Sequence, residues 1–297
     1  MSLLKQIALI APTASGKTAF AIEYAKQHNA NILSLDSLAI YKEMDIVSAK
    51  PTLKEREGIK HFGIDEIYPN SPFNVTTFIE LYKKAKERSI KEKKSLIIVG
   101  GTSFYLKSLL DGISPIPPIS EDSYQKTLKL CRDIKRAYNF LYTIDSKYMQ
   151  HIDIKDYYRI EKMLNLYFET GLSPTDYFRA NPPKPTIVEP INIYEIAIDK
   201  ITLRDRITQR TKQMLSMGLI DEIAYLEEKY GRALNPMKAI GVKEVLDYFD
   251  GVYSKKELEE KIIINTARLA KRQRTFNRSQ FPNRITVNLE ELKMKII

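Results

Sequence analysis

The sequence is almost without cysteine. Cys131 is the only one among 297 residues. This excludes an intramolecular disulfide framework and a cysteine metal cluster, and it suits a reducing compartment. Also missing is any apolar run near the roughly 18 residues that a membrane-spanning helix needs, so no membrane association is expected. The first residues lack the charged-then-apolar layout of a signal peptide, because Lys5 is followed almost at once by a loop motif. The cytoplasm is the expected compartment, and a monomer without an obligate protein partner is the expected state.

Acidic residues are fewer than basic ones, 37 Asp plus Glu against 47 Lys plus Arg, for a formal charge of +10. Excess positive charge points to polyanionic partners, unless the lysines are merely scattered over a solvated surface. Their distribution is uneven. Residues 254–284 carry nine basic side chains against Glu257, Glu259 and Glu260, and most of the arginines there fall in one short segment.

The strongest local signal is "IALIAPTASGKTAF", residues 7–20. Ala11, Pro12, Thr13, Ala14, Ser15, Gly16, Lys17 and Thr18 have the length and ending of a phosphate-binding loop, with Ala11 in place of the first glycine. If that position requires positive φ, alanine tolerates it poorly. The loop amides and the helix start behind them make a nest of donors for anionic oxygens. Lys17 would reach terminal phosphates, and the Thr18 hydroxyl would be offered to Mg²⁺.

Residues 7–10 read as a buried strand before the loop, and residues 17–27 as a helix with Ala21, Ile22 and Ala25 on one face. "NILSLDS" reads as a second strand ending at Asp36, and "SLIIVGG" as a third, continuously apolar as buried parallel strands are. A charged helix lies between them. The alternation predicts an α/β protein: a P-loop NTPase-like parallel sheet covered by helices. Dense prolines in "SPIPPIS" and "NPPKPTIVEP" bracket a mainly helical stretch, predicting an insertion domain over about residues 116–189 between core segments 1–115 and 190–297. "NIYEIAID" returns as a strand, long helices follow over 203–230 and 258–278, and "RITVN" reads as a final strand.

Asp36 follows the second strand, where it would face the ligand crevice at the carboxyl edge of a parallel sheet. Three readings stand for it: a magnesium-associated carboxylate, a general base or acceptor for a second substrate, and a turn-capping aspartate. Thr102, after Gly100 and Gly101, would open onto the same crevice. Arg206 and Arg210 lie four apart on one helix face, and their repulsion suggests either an anionic ligand or a solvated face balanced by Asp205. "TARLAKRQRTFNRSQF" interleaves Lys271, Arg272, Arg274 and Arg278 with Phe276 and Phe281. That pattern suits an RNA backbone and an exposed base, or else a solvated helix end. Arg159 and Lys162 in "YYRIEK" offer a second basic wall.

Taken in order, "APTASGKT", "SLDSLAIYKEMDIVSAKP", "VGGTSFYLKSLLDG", "DYYRIEKMLNLYFETG", "LRDRITQR", "AIGVKE" and "AKRQRTFNR" resemble the tRNA dimethylallyltransferase (tRNA isopentenyltransferase) family over nearly the whole chain. The chain departs from it at Val242, where tyrosine is common, at Phe276, often tryptophan, and at Tyr124, often arginine.

The resemblance implies that residues 11–18 hold the diphosphate of dimethylallyl diphosphate and hydrolyse no nucleotide. It implies Mg²⁺ on Thr18, and transfer of the dimethylallyl group to N6 of the adenosine 3′ of the anticodon. Asp36 would be the general base, with Lys17, Thr102 and Arg206 as further catalytic groups. The tRNA anticodon stem-loop would meet Asp36, Ser37, Leu38, Ala39, Thr102, Arg159, Lys162, Lys271, Arg272, Gln273, Arg274, Phe276 and Arg278. Three alternatives remain: prenyl transfer to a free adenine nucleotide, a P-loop kinase for a small metabolite, and a non-catalytic RNA-binding P-loop protein.

Overall fold

A computed structural model describes residues 4–296 and divides into two compact units. The first begins with β1 (Gln6–Ile10), α1 (Lys17–Gln27), β2 (Ala30–Leu35), β3 (His61–Phe62), α2 (Val75–Lys91), β4 (Ser95–Gly100) and α3 (Ser103–Asp111). The chain enters the second unit, Leu109–Val188, within α3. There it forms α4 (Glu121–Cys131), α5 (Ile134–Ile144), α6 (Ser146–Met149), α7 (Tyr157–Thr170) and α8 (Pro174–Ala180). It re-enters the first unit for β5 (Asn192–Ile196), α9 (Lys200–Ser216), α10 (Leu219–Tyr230), α11 (Val242–Phe249), α12 (Lys255–Gln280), β6 (Ile285–Val287) and α13 (Leu289–Ile296).

The described strands form one sheet of six in the order β3-β2-β4-β1-β5-β6, with every pairing parallel. Parallel strands buried on both faces need continuous apolar sequence, and Ile7–Ile10 and Leu96–Val99 supply it. On one face, Phe20, Ala21, Tyr24 and Ala25 of α1 pack against Leu9, Ile32, Ile97 and Val99. Burying a side chain such as Phe20 contributes about 1.5–3 kcal/mol. β3 is only two residues long, too short to leave a period in the sequence. The helical stretch 203–230 is two helices, parted at Gly218, the N-cap of α10.

Register sets the site. Gly100 pairs with both Leu35 and Ile10. The residues that follow, Asp36, Ala11 and Gly101, therefore leave the sheet at one level of its carboxyl edge. A side chain at Gly100 is impossible, since its Cβ would lie 2.5 Å from Leu35 Cβ.

The second unit has its own core of Ala137, Leu141, Met149, Ile160, Leu164 and Leu166, with Cys131 buried in it. Its helices start at side-chain caps: Ser120, Asp133, Asp145, Asp156 and Ser173 each accept a backbone N–H of the first turn. The unit begins at Leu109, ahead of the proline-rich segment that marked a boundary in the sequence.

Candidate active site

The phosphate loop runs from buried Ala11 to Gly16. Ala11 donates its N–H to Gly100 O at 3.2 Å. The left-handed residues of the loop are Ala14 (φ 62°) and Gly16 (φ 90°), not Ala11. The missing first glycine therefore costs nothing, whereas holding Ala14 there costs on the order of 1–3 kcal/mol. Gly16 is the N-cap of α1 and offers no side chain to its first N–H groups, which are left for an anion.

Lys17 is half-buried, and its Nζ folds back onto Pro12 O at 3.3 Å. Its pKa is lowered to about 8, first by desolvation and then by the Arg210 guanidinium, with Asp36 opposing. Asp36 stands on the same cavity wall. Its Oδ1 accepts from Leu38 N at 2.8 Å and Ala39 N at 3.2 Å, so the turn-capping reading holds for that oxygen. No hydrogen bond among the described residues falls on Oδ2. Thr102 is fixed by its N–H to Leu35 O at 2.9 Å, beside Asp36.

The two arginines of α9, of which the sequence reading took Arg206 as a catalytic group, lie in different surroundings. Arg206 is exposed, and its Nη1 donates to Ser15 O at 3.2 Å from outside the loop. Arg210 lines the cavity and donates from Nη1 to Thr13 Oγ1 at 3.1 Å. Burial lowers its pKa and Asp36 opposes the shift. Helix phase explains the difference. A step of four residues advances about 40° around an α-helix, which turns Arg210 toward the buried stripe of Leu203, Ile207 and Thr211.

These groups line a cavity of about 520 Å³, within the ordinary range for ligand sites. Its walls include Asp36–Ala39, Gly100–Thr102, Arg210, the turn Asn235–Lys238 with Gly241, and Gln273. Tyr41, Phe73 and Tyr105 add an aromatic side, packed edge-on at 6.4 and 5.7 Å between centroids. Burial pushes the Tyr105 hydroxyl up to about 12, so it stays protonated. A second, more open cavity of about 1340 Å³ meets the first at Lys17, Thr18, Lys50 and Arg210.

The segment between them is held from a distance. Glu222 of α10 accepts the backbone N–H groups of Asp45, Ile46 and Val47 at 2.9, 2.7 and 2.9 Å. Desolvation raises its pKa against these bonds. Lys50 Nζ donates to Tyr41 O at 2.9 Å and pairs with Asp45 and Asp65, and Asp65 also pairs with Arg56.

α12 carries the basic segment. Arg268, Lys271, Arg272, Thr275, Phe276 and Ser279 line an open groove of about 540 Å³. Among the described residues, Lys271, Arg272, Arg274 and Arg278 make no ion pair. Gln273, grouped with them in the sequence, points the other way, into the cavity. In the second unit, Arg159 pairs with Asp156 at 3.3 Å, and Lys162 Nζ lies 5.6 Å from the centroid of the exposed Tyr158 ring.

A family model described as IPP transferase matches residues 39–280. A tRNA dimethylallyltransferase of Sulfurovum is 58% identical over 290 residues, covering 98% of this chain and 96% of its own. The chain belongs to the IPP transferase family. A solved tRNA isopentenylpyrophosphate transferase of Staphylococcus epidermidis is 31% identical, with a TM-score of 0.69 over 99% of this chain and 96% of its own. A eukaryotic dimethylallyltransferase solved acting on tRNA has the same fold, with a TM-score of 0.84 at 24% identity over 97% of this chain and 75% of its own.

In this IPP transferase fold the sequence motifs carried more of the cavity than was assigned from them. Lys50 belongs to "DIVSAKP" and Gly241 to "AIGVKE", both among the matching segments, yet nothing local marked either as a wall residue. Nothing in the sequence singled out Tyr41, Phe73 or Tyr105.

Proposed function

We propose that the chain transfers a dimethylallyl group from dimethylallyl diphosphate to N6 of the adenosine 3′ of a tRNA anticodon and releases diphosphate. The observation that carries this is one cavity lined by Thr13, Lys17 and Thr18 of the phosphate loop, by Arg210 and by the Asp36 carboxylate. The shared name of the full-length relatives supports it.

The N6 lone pair attacks C1 of the donor as the C1–O bond to diphosphate breaks. Asp36 Oδ2 takes the N6 proton, while Oδ1 stays fixed on the Leu38 and Ala39 amides. Charge building on the diphosphate is met by the loop amides, Lys17 and Arg210. Thr102 and the 36–39 turn orient the base, which must leave its stack at a cost of a few kcal/mol.

The exposed Thr18 hydroxyl, a hard oxygen donor, fits Mg²⁺ held largely by diphosphate and water. When bound there, Mg²⁺ would add positive charge on the leaving group. No described helix is long and apolar enough to cross a membrane, and a cytoplasmic monomer is the state proposed. Labelled dimethylallyl diphosphate with unmodified tRNA, with free adenine nucleotide, and ATP in a parallel reaction form the test. Label entering tRNA is expected; ATP turnover, or label only in free nucleotide, would replace the reading.

Lys17 gives a pH prediction. With its free-state pKa near 8, the ammonium that meets diphosphate is present below pH 8 and must be regained above it. Bound diphosphate raises that pKa, so binding takes up a proton on the alkaline side. The Lys17 contribution to donor affinity should be constant below about pH 7 and fall by up to about tenfold per pH unit above 8. Calorimetry in buffers of different ionisation enthalpy will measure the uptake; affinity constant to pH 10 would refute it.

The cations of α12 and α7 give another. Arg274→Ala, Arg159→Ala and Lys162→Ala should each weaken tRNA binding and flatten the salt slope of log K by about 0.7–0.9 per lost phosphate contact. Binding of dimethylallyl diphosphate alone should hardly change. Unaltered slopes in filter binding would remove these residues from the RNA surface.

A further inference from the structure

α12 has two working faces. Ile262, Thr266, Leu269 and Gln273 recur at helical spacing and line the cavity, while Arg268, Lys271, Arg272 and Phe276 line the outer groove. Gln273 Oε1 accepts the Thr13 backbone N–H of the phosphate loop at 3.1 Å. Its Nε2 lies against the β4–α3 turn, so close that a Cβ at Gly101 would stand 2.4 Å from it. Thr13 is thus held twice, at its amide by α12 and at its hydroxyl by Arg210 of α9.

We infer that Gln273 is a positioning residue that couples RNA docking on the outer face of α12 to the shape of the phosphate loop, so that the donor diphosphate binds more tightly when RNA is in place. This rests on the transfer reading above. Gln273 lies between Arg272 and Arg274 on one continuous helix, so RNA contacts and loop contact move as a rigid body. Without RNA, the unpaired charges of Lys271, Arg272, Arg274 and Arg278 repel one another, and a polyanion removes that repulsion. The two-state element is the Gln273 amide, seated between Thr13 and Gly101 or withdrawn. RNA biases it toward the seated state, which orders a loop already constrained at Ala14, and the donor then meets a lower ordering cost. Coupling is reciprocal, so donor tightens RNA by the same factor.

The test is the ratio of dissociation constants for the non-transferring thiolodiphosphate analogue of dimethylallyl diphosphate, without and with an unmodified anticodon stem-loop RNA. The parent should show a ratio of at least about fivefold. Gln273→Ala should bring it below about twofold. Gly101→Ala, which displaces the same amide from the opposite side while leaving α12 untouched, should do likewise, and the double variant should fall no further. Gln273→Asn, one methylene short, is the milder control for folding and should also lose the ratio. A parent ratio near one overturns the inference, as do variants that keep the parent's ratio. A merely structural role would weaken analogue binding equally with and without RNA, leave the ratio intact, and so overturn it as well. Failure of the transfer reading would be seen separately, as absence of label in RNA with the parent enzyme.

Discussion

Asp36→Asn should keep the donor bound and lower transfer by roughly 10²–10⁴-fold, the usual contribution of a general base. The substitution is well matched to the geometry. Asparagine retains an oxygen for the Leu38 and Ala39 amides, which Oδ1 now accepts at 2.8 and 3.2 Å, so the 36–39 turn survives. What is lost is a basic oxygen for the N6 proton. An exocyclic adenine amine is a poor nucleophile because its lone pair is delocalised into the ring, and losing its proton as the N–C bond forms relieves the developing positive charge. Lys17 and Arg210 remain to hold diphosphate. Single-turnover transfer to tRNA, set beside analogue affinity, separates the two effects. A rate within a factor of two of the parent would end the assignment of Asp36 as base.

Much of the core was legible because its determinants are local. β1 and β4 are apolar over Ile7–Ile10 and Leu96–Val99, as buried parallel strands have to be. The phosphate loop lies between a strand and a helix, and the helix expected over 258–278 is α12, which starts three residues earlier behind its Ser254 cap. Less legible were features set by contacts between distant segments. The bond from Glu222 to the 45–47 backbone spans 175–177 residues, and the direction of Gln273 depends on how α12 packs against a loop 260 residues away. β3 exists only because β2 offers an edge with which His61 and Phe62 pair. Arg206 and Arg210 illustrate the limit most sharply. Spacing put both on one helix face; only the packing of Leu203 and Ile207 decided which of the two enters the cavity.

That choice yields the second large effect. Arg210→Ala should cut the transfer rate by about 10²–10³-fold, the range found on removing one preorganised donor from developing negative charge, whereas Arg206→Ala should stay within about tenfold of the parent. Arg210 lines the cavity and grips Thr13 Oγ1, while Arg206 is exposed and donates to the Ser15 carbonyl. The pH profile supplies an independent readout. The Arg210 guanidinium is the second cause, after desolvation, that lowers Lys17 toward about 8. Removing it takes away a like charge and lets the Lys17 pKa rise. The alkaline fall in donor affinity should therefore move to higher pH in Arg210→Ala, while Arg206→Ala leaves it in place. Single-turnover rates and analogue affinities for both variants from pH 6 to 10 will test the pair. Equal losses in the two, or an unmoved alkaline limb in Arg210→Ala, would show that the cavity cation has been misassigned.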